Sequence, residues 1–180
     1  RFTEENAPPV LRFNFDDSAA FRQVLVYPVA LTEQLNLRNF DLLREALENR
    51  PEPAPMVMGP RVNAGMPFAT RAEYLDFENG AGIRYIAHIT QDFTFVNPLY
   101  IFSGLTDDGL HYVEVVYDFW LDDLGNAPVM QPYLNNGLNS DNVGDYYDDA
   151  EALNDNANPD DFSPSLDALD AFVRSLSVGE

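Results

Sequence analysis

Between Glu73 and Trp120 the chain alternates β-rich runs with turn dipeptides so regularly that an antiparallel sheet is the natural way to fold it. Glu73 to Glu78 and Ile83 to Gln91 flank Asn79-Gly80, a pair that tolerates positive φ and so predicts a hairpin. Asn97-Pro98 leads into Leu99 to Leu105, and Asp108-Gly109 separates that run from His111 to Trp120. Four strands with such connections predict a meander over about 73–120. In the last strand His111, Val113, Val115, Tyr117 and Phe119 share one face, opposite Tyr112, Glu114, Val116, Asp118 and Trp120. The first, more apolar set is expected to face the core.

The flanks add helices. Residues 1–9, with Glu4, Glu5, Pro8 and Pro9, read as an N-terminal tether ahead of a single domain over 10–180. Val10 to Phe15 alternates as a strand does, and Val24 to Leu31 contains Pro28, which lacks a ladder donor and predicts an edge strand or a strand end. Asn39 is placed to cap a helix with the stripe Leu42, Leu43, Ala46 and Leu47, stopped by Pro51. Residues 51–67 hold five prolines with Met56, Met58 and Met66, which predicts an extended connection whose methionines cover the core. From 125 to 161 periodicity fades among Asn, Asp, Gly and Tyr, so an acidic loop is expected. Ser163-Pro164 then looks like a cap and first helical residue, with Leu166, Leu169, Phe172, Val173 and Leu176 as the stripe of a C-terminal helix. Ser177-Val178 is expected to close as a short strand. The fold class is therefore α+β: an antiparallel sheet with helices packed on it.

Charge narrows the function classes. The 180 residues carry 30 acids against 10 bases, for a net charge of −20, and every base is arginine. Residues 1–90 hold 9 Arg and 12 acids, while residues 91–180 hold Arg174 alone against 18 acids, so the excess lies in the second half. Such a surface repels phosphate backbones and anionic headgroups, which argues against nucleic-acid binding. No apolar run reaches the 18 or so residues of a transmembrane span. With no cysteine the chain itself has no disulfide, thiolate nucleophile or zinc-thiolate site. It begins Arg1-Phe2-Thr3, which is read as a processed or excised start, with any signal peptide or lipidated cysteine upstream.

Little of the chemistry is motif-like. His88 and His111 are the only histidines, both in expected strands, and Ser103 lacks the preceding glycine of G-x-S-x-G. Gly80-Ala81-Gly82 is too short for a phosphate loop. Five Asp-Asp pairs, at 16/17, 107/108, 122/123, 148/149 and 160/161, fall where turns or caps are expected. Asn139-Ser140-Asp141-Asn142-Val143-Gly144 resembles the start of an EF-hand loop but departs at Val143 and at Ala150. Oxygen-rich Asn139, Asp141, Asp145, Asp148 and Asp149 are the candidate ligands for calcium, the one cofactor the residues suggest.

Three phrases carry a family resemblance: Pro60 to Ala64, Tyr74 to Tyr85, and Gly104 to Tyr112, with weaker matches at Val26-Tyr27-Pro28 and Pro164 to Val178. They resemble a family of uncharacterised bacterial secreted proteins and putative lipoproteins. The element order is also similar to the PsbP-like fold of photosystem accessory proteins. The resemblance implies an extracytoplasmic location, secreted or envelope-anchored. It also favours noncatalytic binding or accessory work in a cell-envelope assembly, with a protein partner whose identity the residues do not give. Two alternatives accompany that expectation: a hydrolase of an extracellular substrate using Glu114 and Asp118, and a calcium-stabilised interaction domain.

Overall fold

A computed structural model of the chain describes residues 11–15, 22–30, 39–57, 65–90, 95, 98–121 and 124–179. The first two strands are β1 (Leu11–Asn14) and β2 (Arg22–Pro28). Helix α1 (Asn39–Asn49) precedes the expected meander of β3 (Gly65–Phe77), β4 (Gly80–Thr90), β5 (Leu99–Thr106) and β6 (His111–Asp118). β2 pairs with the outer side of β6, and β1 with β2, giving a six-stranded antiparallel sheet in the order β1-β2-β6-β5-β4-β3. Pro28 ends β2 opposite His111, where its missing N–H costs the ladder least. The alternative of an edge strand for that run does not hold, since β1 covers it.

The central strands are covered on both faces: Val113, Val115 and Phe119 face the core as expected, and the opposite face of β6 is buried too at Tyr112 and Glu114, while β1 is exposed. Val24, Val26, Val113, Val115 and Phe119 pack on one side with the C-terminal helix. Leu25, Tyr27, Ile83, Tyr85, Ile101 and Tyr112 pack on the other beneath α1 and the proline-rich connection. All eight residues of β5 are buried, as a strand with helices or loops on both sides requires. On α1 the buried side is Phe40, Leu43 and Ala46, whereas Leu42 is 56% exposed. A 3.6-residue period from Leu43 reaches Phe40 and Ala46 before it reaches Leu42. The side chain of Asn39 is outside the described residues.

The connection is irregular over 51–57, with a bend at Glu52-Pro53, and is pinned to the sheet. The Val57 carbonyl accepts the Tyr85 hydroxyl at 3.1 Å and the Ser103 hydroxyl at 3.2 Å, and the Pro51 carbonyl accepts the Tyr74 hydroxyl at 3.1 Å. Met56 is exposed and Met66 packs against the core; Met58 lies outside the described residues. β3 starts at Gly65, well before Glu73, because Pro67 is tolerated on an edge strand beside a register shift. The first hairpin turns one residue earlier than expected, through Glu78 and Asn79 with Phe77 opposite Gly80. Gly80 is needed for space, since a Cβ there would overlap the Phe77 ring and the Leu105 carbonyl.

The stretch expected as an acidic loop over 125–161 is instead largely helical. It contains α2 (Gln131–Asn136) and α3 (Val143–Asn156), with 3₁₀ turns at Leu124–Asn126, Pro128–Met130 and Pro159–Asp161. Tyr146, Ala150 and Asn154 form an i, i+4, i+8 stripe against the sheet and Met130. Only two of those three are apolar by composition, so the period is hidden among Asp and Asn. Trp120–Leu121 (β7) pairs with Phe162–Ser163 (β8), which takes Ser163 out of the capping role. Ser165 caps α4 (Leu166–Arg174) instead, its hydroxyl accepting from the Ala168 amide. The stripe of α4 is as expected. Ser177-Val178 forms no strand; the Asn79 side chain brackets the Val178 backbone and the Glu78 amide donates to the Leu176 carbonyl.

Candidate functional site

The five calcium candidates divide between a turn and a helix. Asn139 and Asn142 spend their side chains on the turn: Asn139 Oδ1 accepts the Asp141 amide at 2.8 Å, and Asn142 Oδ1 accepts the Asn139 amide at 2.9 Å. Asp145, Asp148 and Asp149 stand on α3, where Asp149 accepts the Tyr133 hydroxyl at 2.6 Å. That bond and the surrounding carboxylates push the Tyr133 hydroxyl up to about 12. Among the described residues no three acidic or histidine side chains converge as an ion site would need. What the helix does assemble is a one-signed surface, with Asp145, Asp148, Asp149, Glu151 and Asp155 and no base. Partial burial, with Asp148 and Asp155 beside it, raises the pKa of Glu151.

The sheet carboxylates are not paired with each other. Asp118 accepts Arg22 Nε at 2.6 Å, and Arg22 lies over the rings of Tyr117 and Trp120 at 5.4 and 5.9 Å. Glu114 is buried on the opposite side of the sheet from Val113, near Tyr85 and Tyr112, whose pKa values it helps to raise after burial itself. Ser103 is fully buried and accepts the Tyr112 hydroxyl at 2.9 Å. His88 is buried between Phe68, stacked at 5.8 Å, and Tyr147, and burial pulls its pKa down to about 4. Of the Asp-Asp pairs, Asp108 closes the β5–β6 turn by accepting Thr106 Oγ1 and the Leu110 amide, which holds its pKa low. Asp161 accepts the Asn158 amide in a capping box. The pairs at 16/17 and 122/123 lie outside the described residues.

A buried ion pair escaped the sequence reading. Arg84 on β4 donates Nε and Nη2 to the two oxygens of Asp170 on α4, both at 3.1 Å, and the Tyr100 hydroxyl adds a third bond to that carboxylate at 2.9 Å. Nη2 also reaches Glu73, and Nη1 the Arg71 carbonyl, at the register shift in β3. Arg84 thereby fixes a residue with φ of +57°. Arg71 itself crosses to α3, donating to the Asn154 carbonyl at 3.1 Å and the Ala157 carbonyl at 2.7 Å. These cations hold strand to helix. An arginine inside an otherwise apolar strand and an aspartate on the buried side of a helix were the available signals.

Grooves open at the surface formed by the described residues, two of them beside the helices of the second half. One of about 320 Å³ lies between β1 and α4, lined by Phe13, Phe15, Val24, Phe172 and Leu176 among others. The other, about 580 Å³, lies where the C-terminal end of α3 faces the 3₁₀ turns at Leu124–Asn126 and Pro128–Met130, with Asp160 and Asp161 at its rim. Neither groove is lined by Glu114 or Asp118. No family model, curated protein or solved structure matches the chain. Among the described residues no helix is long and apolar enough to cross a membrane.

Proposed function

We propose that this is a noncatalytic binding or accessory domain of the extracytoplasmic space, and that it meets a protein partner of its envelope assembly through the acidic side of α3. The observation that carries the reading is the division of charge. Inside, Arg84 and Asp170 satisfy one another and join strand to helix. Outside, five carboxylates of α3 face solvent or half-buried positions with no base on the helix. A surface of one sign steers and selects a partner of the other sign more than it stabilises a fold. The extracytoplasmic placement rests on the resemblance of the three phrases to secreted proteins.

The test sets this reading against the carboxylate hydrolase. The purified chain is offered glycan, ester and peptide substrates beside Glu114→Gln and Asp118→Asn variants, and in parallel is cross-linked in envelope extract. The reading expects no turnover above the variants, together with a discrete cross-linked species. Turnover that one of these substitutions abolishes would overturn it.

A further inference from the structure

The 580 Å³ groove at the end of α3 combines two features that suit one kind of occupant. Its floor is apolar, with Leu121, Leu124, Ala127 and Leu153, and Leu124 and Leu153 also pack on the core beneath. Its rim is acidic. Asp161 is held in place by the Asn158 amide and side-chain nitrogen on Oδ2, at 2.7 and 2.9 Å, and no hydrogen bond to its Oδ1 occurs among the described residues. Asp160 beside it is exposed. The negative end of the helix dipole lies here too, since Asn156 and Ala157 close the groove. Arg71 reaches this helix end from β3, but it is spent on the carbonyls of Asn154 and Ala157 and the face of Phe162, with no ion pair to either rim carboxylate among the described residues.

We propose that the groove receives an arginine or lysine of a partner protein together with its apolar neighbour, the charged head at Asp160 and Asp161 and the stem on the leucine floor. This deepens the binding reading above and rests on it. A cation is favoured by the two rim carboxylates, which disfavour a carboxylate or phosphate; the helix C-terminus adds little, because Arg71 already occupies its carbonyls. The aliphatic stem of a basic side chain suits an apolar floor with a charged rim. The volume falls within the roughly 300–1,000 Å³ of sites that enclose small ligands. The groove meets α3 at Leu153, Asn156 and Ala157, the end of the helix that carries the acidic side chains.

The probe is acetyl-Leu-Arg-Leu-amide, titrated into the full chain by amide NMR, against the same peptide with Gln or Glu in the middle. Saturable shifts are expected at Leu124, Ala127, Asn156 and Asp161, with affinity of the order of 1 mM for so short a ligand. Asp160→Asn is expected to weaken binding about two- to fivefold, and the Gln peptide to bind weaker by a similar factor. Ala127→Trp, which fills the floor without touching the rim, is expected to abolish it. Equal binding of the Arg and Gln peptides, retention in Ala127→Trp, or shifts that stay on Asp145 to Glu151 without saturating would each overturn the proposal. If Asp160→Asn and Ala127→Trp keep the cross-linked envelope species while peptide binding fails, the groove is wrong and the binding reading stands. If the species is absent from wild type, the wider reading fails by itself.

Discussion

Arg84 and Asp170 illustrate how a single pair of buried charges orders four elements at once, because the partners of Arg84 lie on β3 and α4 and Tyr100 of β5 joins the carboxylate. Leaving either charge alone in the interior is costly, so Asp170→Ala is expected to lose about 3–5 kcal/mol in urea unfolding. Glu73, whose side chain is 58% exposed, reaches the same guanidinium, yet Glu73→Gln is expected to cost about 1 kcal/mol or less. An apolar pair, Arg84→Met with Asp170→Leu, is expected to recover most of the Asp170→Ala loss; a double variant as unstable as the single one would show that the pair does more than satisfy itself. His88 supplies a pH-dependent term. Its folded pKa, about 4, lies below the ordinary value of 6.5, so its neutral form is favoured in the folded chain. Above pH 6.5 it contributes no pH dependence. As pH falls from there to about 4 the unfolded chain takes the proton first, and stability drops by at most about 3 kcal/mol at 1.36 kcal/mol per pH unit. NMR titration should show the imidazole protonating near pH 4 and the slope should vanish in His88→Phe; protonation near 6.5 would mean that water reaches the ring. The sequence signalled a buried charge, an arginine inside an apolar strand, but neither that residue nor the strand histidine carries a mark of what lies across from it.

The elements differ in how openly the sequence announces them. β4, β5 and β6 are apolar with clear turn residues, and α4 carries leucines at helical spacing with Ser165 ahead of it, so local chemistry and burial agree. α3 is the opposite case. Its buried side includes Asn154, whose amide nitrogen donates to the Ala150 carbonyl, and its C-terminal carbonyls are satisfied by Arg71 from another strand. The tertiary partner, absent from the local sequence, turns an acidic stretch into a helix. Arg71→Met keeps the aliphatic stem but removes both bonds, and is expected to cost about 1–3 kcal/mol. Hydrogen exchange should show protection lost first at the last turn of α3; uniform loss over the sheet would contradict this assignment. Like charges three and four residues apart also oppose the helix. Asp148→Lys is therefore expected to raise the unfolding midpoint slightly, through a stability gain of about 0.2–0.5 kcal/mol per repulsion replaced. With Asn139 and Asn142 engaged in their turn and the carboxylates on a helix, calcium and magnesium at matched ionic strength are expected to shift the midpoint equally. A calcium-specific rise would restore an ion site at Asp141, Asp145, Asp148 and Asp149.

For the whole molecule, a net charge of −20 concentrated after residue 90 coexists with a sheet whose central strands are buried on both faces. The α+β class and the meander could be read from strand alternation, because burial and turn chemistry are written locally. The charge asymmetry and its place within 125–161 could be read as well, but not that the stretch is a helix, which sets how its carboxylates are displayed. Salt should weaken any partner held there, since exposed charges are screened over about 10 Å at 0.1 M. The most direct measurement is therefore retention of an envelope component by the immobilised chain across a salt gradient, wild type against the triple variant Asp145→Asn, Asp148→Asn, Glu151→Gln. The acidic-face account predicts a component that wild type holds at low salt and releases as salt rises, and that the folded triple variant fails to hold. Equal retention by both chains, or retention indifferent to salt, would contradict it.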